Sequence, residues 1–260
     1  MIATFNKIVA KIMRKFAVPI HGRYSRDYRS LVKFLLRTYP RDQAMNIAIG
    51  HNDDVGDIAF AIVDYYGLRD DSYLIDVGCG SGRLARRAAL LPKLRYLGTD
   101  VSQELLDYAA ESCRRPDFRF ACVDALTIPE ADGLADLVCF FSVGTHMLHE
   151  EFFVYLEDAR RVLRRGGRIV FSFLDMQSTD CRGVFHELVR KVRTGQQPPH
   201  LDIFIGRDDI PVWAELLDMT LVDVVQNFEP RVANARVRAV LGHELPPGRL
   251  GQSIAVLEKR

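Results

Sequence analysis

The chain of 260 residues has no uninterrupted apolar stretch near the ~20 residues a membrane-spanning helix needs, and runs such as Leu137–Phe141 are strand-sized. It has only five cysteines, at 79, 113, 122, 139 and 181, with no C-x-x-C pair and no clustering with its seven histidines. That spacing argues against a disulfide framework and a structural zinc site, and predicts a reducing, cytoplasmic setting. Glycine and proline, at 18 and 11 residues, are too few for a collagen-like or disordered chain. No internal repeat is found. With 48% hydrophobic and 27% charged residues, the composition is that of a globular protein able to bury roughly three quarters of its unfolded surface without staples.

Acid is scarce in one region. Up to residue 41, Asp27 is the single acidic residue against Lys7, Lys11, Arg14, Lys15, Arg23, Arg26, Arg29, Lys33, Arg37 and Arg41. The formal net charge of +1 therefore conceals a strongly basic end and an acidic remainder. Ile2, Phe5, Ile8, Val9, Ile12, Met13 and Phe16 recur at helical spacing, and the lysines between them break up any signal-peptide core. A second helix is expected from Ser25 to about Thr38, stopped by Pro40. Residues 1–50 thus read as a basic helical arm or lid. It either packs on the body with a solvated basic face or makes a peripheral contact, through residues 1–41, with an anionic membrane at its inner face.

From residue 51 to 260 the pattern predicts a second unit. Short apolar strands at Tyr73–Val77, Arg95–Thr99, Phe118–Val123, Leu137–Ser142 and Arg168–Leu174 alternate with helical segments at Val55–Tyr66, Leu84–Leu91, Glu104–Glu111 and Phe152–Leu163. Strands separated by helical crossovers make a parallel sheet covered on both faces. After an insertion at about 176–206, containing one helix at Gly183–Val192, a helix at Asp208–Met219 precedes closing strands at Leu221–Gln226 and Gln252–Leu257. The expected fold is α/β: a Rossmann-like, doubly wound, mostly parallel seven-stranded sheet with the helical arm before it.

The stretch Leu74-Ile75-Asp76-Val77-Gly78-Cys79-Gly80-Ser81-Gly82 is a buried strand ending in glycines and opening a helix. Glycines there let backbone approach a ligand, and the N–H groups of the helix start favour anionic atoms. A dinucleotide fingerprint would need its third glycine at Arg83, whereas here it is Gly82. The G-x-G-x-G arrangement resembles motif I of the class I S-adenosylmethionine-dependent methyltransferases. Asp100, closing Tyr96-Leu97-Gly98-Thr99, and Asp124, following Phe120-Ala121-Cys122-Val123, fall where that family has acids. Ala135–Ser142 resembles its fourth-strand motif, and Leu163-Arg164-Arg165-Gly166-Gly167 its turn before the fifth strand, with Arg165 in place of the usual proline.

The resemblance covers about residues 70–175 and implies S-adenosylmethionine as cofactor. The positions it implies for cofactor binding are Asp76, Gly78, Cys79, Gly80, Gly82, Asp100, Val101, Asp124, Ala125 and Ser142. Asp100 would grip the ribose hydroxyls and Asp124 would meet the adenine amino group. Singly, Asp76 could cap backbone donors, Asp100 could serve a turn and Asp124 an N-cap; Cys79, with no base or resolving cysteine beside it, reads as a small filler. On the acceptor side, His146 after the fourth strand is the candidate base for a hydroxyl, or else a packing residue of the cleft wall. Tyr24, Tyr28, His51, Asn52, His149 and Asp175 are candidate acceptor contacts; His51 and Asn52 equally suit a helix cap, and His149 the start of the next helix. The aspartates form no compact metal pattern.

The expected activity is O-methylation of a hydroxyl on a sugar, surface polysaccharide or related small metabolite. Small-molecule N-methylation and a non-catalytic S-adenosylmethionine-binding module are the alternatives. With no N-P-P-Y tetrapeptide after the fourth strand, and basic residues gathered in the arm, nucleic acid is disfavoured as a partner.

Overall fold

The computed structural model describes residues 23–50, 53–196, 201–226, 235–245 and 250–260. The amphipathic pattern at residues 2–16 lies outside them. Helix α1 (Arg23–Thr38) and helix α2 (Arg41–Ala48) precede α3 (Asp54–Tyr65). The body then alternates β1 (Tyr73–Val77), α4 (Arg83–Ala88), β2 (Arg95–Asp100), α5 (Gln103–Cys113), β3 (Arg119–Cys122), β4 (Ala135–Phe140), α6 (His149–Val162) and β5 (Leu163–Phe173). It closes with α7 (Thr179–Arg193), α8 (Asp209–Leu216), β6 (Met219–Val225), α9 (Ala235–Leu241) and β7 (Ser253–Lys259).

The seven strands lie in the order β3-β2-β1-β4-β5-β7-β6. β1 pairs in parallel with both β2 and β4, and β7 runs antiparallel between β5 and β6. The chain leaves β1 toward β2 on one side and returns at β4 on the other. This reversal opens a crevice at the carboxyl ends of β1 and β4, where open α/β sheets bind ligands.

Helices cover both faces because the strands are apolar on both. On one face Phe60, Ile62, Leu84 and Ala88 meet Leu74, Leu137 and Val170. On the other, Phe152, Leu156, Ala159 and Ala214 meet Ile75, Val138 and Phe171, and the Phe152 ring stands edge-on to Phe140 and Phe171. A smaller cluster of Val32, Met45 and Leu105 fastens α1 and α2 to α5. Two buried acids on α3 are paired: Asp57 with Arg87 (2.6 Å) and His243 (3.0 Å), and Asp64 with Arg236.

Some sequence expectations change. Gly166 and Gly167 do not turn ahead of the fifth strand; β5 runs through them, with a register shift against β4 between Ala135 and Leu137. A left-handed Gly166 (φ 73°) accommodates that irregularity. The insertion helix extends over Thr179–Arg193, and α8 stops at Leu216 because Met219 already starts β6.

Candidate functional site

The loop after β1 is shaped by Gly78, Gly80 and Gly82, at φ 71°, 56° and 82°. The Gly78 and Cys79 N–H groups both donate to the Thr99 carbonyl at the end of β2 (2.8 and 2.9 Å). A Cβ at Gly78 would lie 2.4 Å from Val143 Cγ2, in a left-handed conformation that already disfavours side chains. The loop is therefore clamped between β2 and the segment after β4. Cys79 is buried near Gly98, and burial holds its thiol well above the usual range.

Asp100 forms the far wall of this loop. Its Oδ2 accepts from the Gly80 N–H and its Oδ1 from the Ser102 N–H, each at 3.0 Å. Burial raises the carboxyl's pKa, while those N–H donors and that of Val101 pull it down. A carboxylate offers about four acceptor sites, so these backbone bonds leave capacity for a ligand hydroxyl. Val101 follows at the half-buried lip of β2.

Asp124, beyond β3, is 54% exposed in its side chain and pairs with Arg29 of α1 at 3.0 Å. Ala125 beside it is exposed. Helix α1 thus spans the same end of the sheet as the acids, and Tyr28 anchors it by donating to the Ala48 carbonyl (3.1 Å). Tyr28 thereby holds α1 to α2. The Tyr24 side chain, His51 and Asn52 lie outside the described residues.

Asp76 departs from its expected position. It is 3% exposed and lies beneath the loop, where Tyr96 Oη donates to Oδ2 (2.7 Å) and Cys139 Sγ approaches Oδ1 (3.5 Å). Desolvation pushes its carboxyl up to about 6 against those two donors. It props the loop from the core side. Asp175 is also withdrawn: its carboxylate accepts from Arg207 (2.6 Å), Ser253 (3.1 Å) and the Gln177 N–H (2.8 Å) and is buried. These bonds tie the region after β5 to β7.

After β4, Ser142 adopts a left-handed φ of 60°. Its N–H donates to Ser172 Oγ (2.8 Å), Ser172 Oγ donates to Gln252 Oε1 (2.6 Å), and Gln252 Nε2 donates to Ser142 Oγ (3.0 Å). This closed ring holds a conformation that costs a non-glycine residue about 1–2 kcal/mol, at the lip of the crevice. A 3₁₀ turn at Gly144–His146 follows. His146 Nδ1 sits 2.7 Å from the Leu201 carbonyl, with Asp202 Oδ1 4.0 Å away. A carbonyl only accepts, so Nδ1 carries the proton in the neutral ring and the acceptor lone pair is on Nε2. His149 is pinned differently, through Nε2 to the Phe204 carbonyl (3.0 Å) and edge-on to Trp213, and it begins α6.

Arg29, Tyr96, Leu201, Ser172 and Gln252 carry these arrangements without having been singled out in the sequence. Their roles arise from pairings across 20 to 110 residues, which no local spacing encodes. Among the described residues no group of three or more His, Cys, Asp or Glu side chains could hold a metal ion.

Residues 74–167 match the family model of a methyltransferase domain. Over 105 residues, 40% of this chain, it is 30% identical to a ribosomal protein L11 methyltransferase of Thermotoga maritima, covering 38% of that protein. Over 133 residues, 49% of this chain, it is 30% identical to the 27-O-demethylrifamycin SV methyltransferase of Amycolatopsis mediterranei, covering 48% of it. The chain thus spans less than half the length of these two curated relatives. In fold it is similar to the magnesium protoporphyrin IX methyltransferase of Synechocystis, solved with bound SAH, at a TM-score of 0.59 and 14% identity over 90% of this chain and 96% of that one. The chain thus carries a match to a methyltransferase domain over residues 74–167, within a fold it shares with S-adenosylmethionine-dependent methyltransferases. The implied cofactor is S-adenosylmethionine, and the left-handed glycine loop with the spare acceptor capacity of Asp100 fits it.

Proposed function

We propose that the protein is an S-adenosylmethionine-dependent methyltransferase that methylates a hydroxyl oxygen of a small metabolite or glycan, with His146 as general base. When bound, S-adenosylmethionine supplies an electrophilic methyl group, and Asp100 and the glycine loop would hold it. The supporting observation is the fixed tautomer of His146: with Nδ1–H given to the Leu201 carbonyl, the neutral ring can take a hydroxyl proton at Nε2. Gly144–His146 rises directly from β4, so the imidazole stands at the same end of the sheet as the glycine loop. Helix α1, closed over the acids through Arg29, would limit water there.

Exposed Met176, Phe185 and Leu201 lie around this end of the sheet and support an acceptor with an apolar body more than a bare sugar. The rifamycin relative, whose name places its methyl on oxygen, supports the same choice of atom. The test is single-turnover methyl transfer by His146→Ala on a panel of hydroxylated acceptors with apolar bodies. Turnover should fall on the order of 10²- to 10⁴-fold with cofactor affinity unchanged. A variant within threefold of wild type removes His146 from the chemistry.

A further inference from the structure

We infer that the outer face of α1 docks on an anionic lipid surface. The first observation is the division of α1 into two faces. Val32 and Leu35 are buried against the body, while Leu31 and Phe34 are 41% and 59% exposed. Leu31, Phe34 and Arg37 follow one another at three-residue spacing and form a row on the side away from the core. Phe34 is the more exposed of the two apolar side chains in this row. Lys33, itself exposed and 3.8 Å from Glu104, flanks the row, and the exposed Tyr39 follows the end of the helix.

The second observation is charge complementarity. Ten basic residues against one acid lie in the first 41 positions; Arg29, Lys33 and Arg41 reach acids of the body, and in sequence the 22 residues preceding α1 repeat the pairing of apolar and basic positions. Apolar side chains ringed by lysine and arginine match an anionic interface, in which the rings enter the headgroup region and the cations meet phosphate and carboxylate. Neither the acceptor nor His146 enters this argument, so it stands apart from the methyl-transfer reading. Among the described residues no helix is long and apolar enough to cross a membrane, so the contact is peripheral.

The face is on the helix that Arg29 fastens over Asp124. Docking would bring the lipid surface to the outside of the lid.

The test is flotation of the full chain with vesicles of phosphatidylcholine alone or mixed with phosphatidylserine, at low and high salt. Wild type should float with the mixed vesicles at low salt and be released by high salt. Replacing Phe34 and Leu31 together by serine should lower the partition coefficient roughly tenfold. Lys33→Gln and Arg37→Gln should each lower it roughly fivefold, the equivalent of about 1 kcal/mol per cation near the surface. Circular dichroism melts of all variants should match wild type, since these side chains are exposed. Equal recovery with neutral vesicles, or unchanged flotation of the Phe34→Ser, Leu31→Ser protein, overturns the proposal. A wild-type dimer that dissociates on these serine substitutions, with no flotation, would assign the face to a second copy of the chain instead.

Discussion

Asp76 provides a stability measurement in which the sign and size of the effect follow from burial. The carboxyl is enclosed under the glycine loop, and desolvation raises its pKa from the usual 3.8 to about 6. An acid whose folded pKa is raised binds its proton more tightly in the folded state, so this group adds stability as pH falls and withdraws it as pH rises through about 6. The full difference is worth about 3 kcal/mol, and roughly 1 kcal/mol of it is gained between pH 8 and pH 5. Because Asp76 is buried, no solvent screening reduces the figure. Asp76→Asn keeps an acceptor for Tyr96 Oη and removes the titration. Urea unfolding of both proteins across that range cancels the histidines they share. The wild type should gain roughly 1 kcal/mol on the variant on going from pH 8 to pH 5. A difference that stays flat, or grows toward alkaline pH, would refute the assignment of Asp76 as a desolvated prop.

Three further outcomes are expected. Asp100→Ala removes the acceptor of the Gly80 and Ser102 N–H groups and should weaken S-adenosylmethionine binding at least tenfold by calorimetry, each charge-assisted bond being worth ~1.5–3 kcal/mol. Gly78→Ala forces a Cβ against Val143 Cγ2 at a φ of 71° and should cost roughly 2–5 kcal/mol in a denaturant melt; a stable variant would show that the loop relaxes freely. Arg29→Gln breaks a half-exposed ion pair worth no more than about 1 kcal/mol and should speed cofactor dissociation up to about fivefold in stopped flow, with high salt bringing wild type toward the variant; identical rates would separate α1 from cofactor retention.

The central sheet was legible because its strands are buried on both faces and read as apolar runs bounded by glycine and polar turns; β1 is buried at every position. Short helices were harder. α2 (Arg41–Ala48) follows Pro40 and presents only Ala44 and Met45 to the core, too little to make a periodic pattern. α9 (Ala235–Leu241) buries Val237 alone and is held by Arg236 on Asp64, a charge pairing that hydropathy does not register. The same limit applies to the candidate site. The glycine loop and the position of Asp100 at a strand end follow from local sequence, and Asp76 has the same kind of position. Whether an acid faces ligand or core depends on what lies opposite, and Tyr96, one strand away, turns Asp76 inward. Ser142 is locked by Ser172 and Gln252 from two other strand ends, a closed ring that exists only after the sheet has assembled.

That order of assembly bears on synthesis. β5 has one neighbour, β4, shortly before it in the chain and another, β7, whose Ser253 meets Phe173 only after about 80 intervening residues. At ~5–20 residues per second, the ribosome needs roughly 4–16 s to deliver the second partner. Throughout that interval the apolar edge Ile169–Phe173 is a row of open backbone donors and acceptors, able to pair with another nascent chain. Expression yield should therefore depend on translation speed through α7 and α8, segments that contribute no strand themselves but determine how long that edge waits.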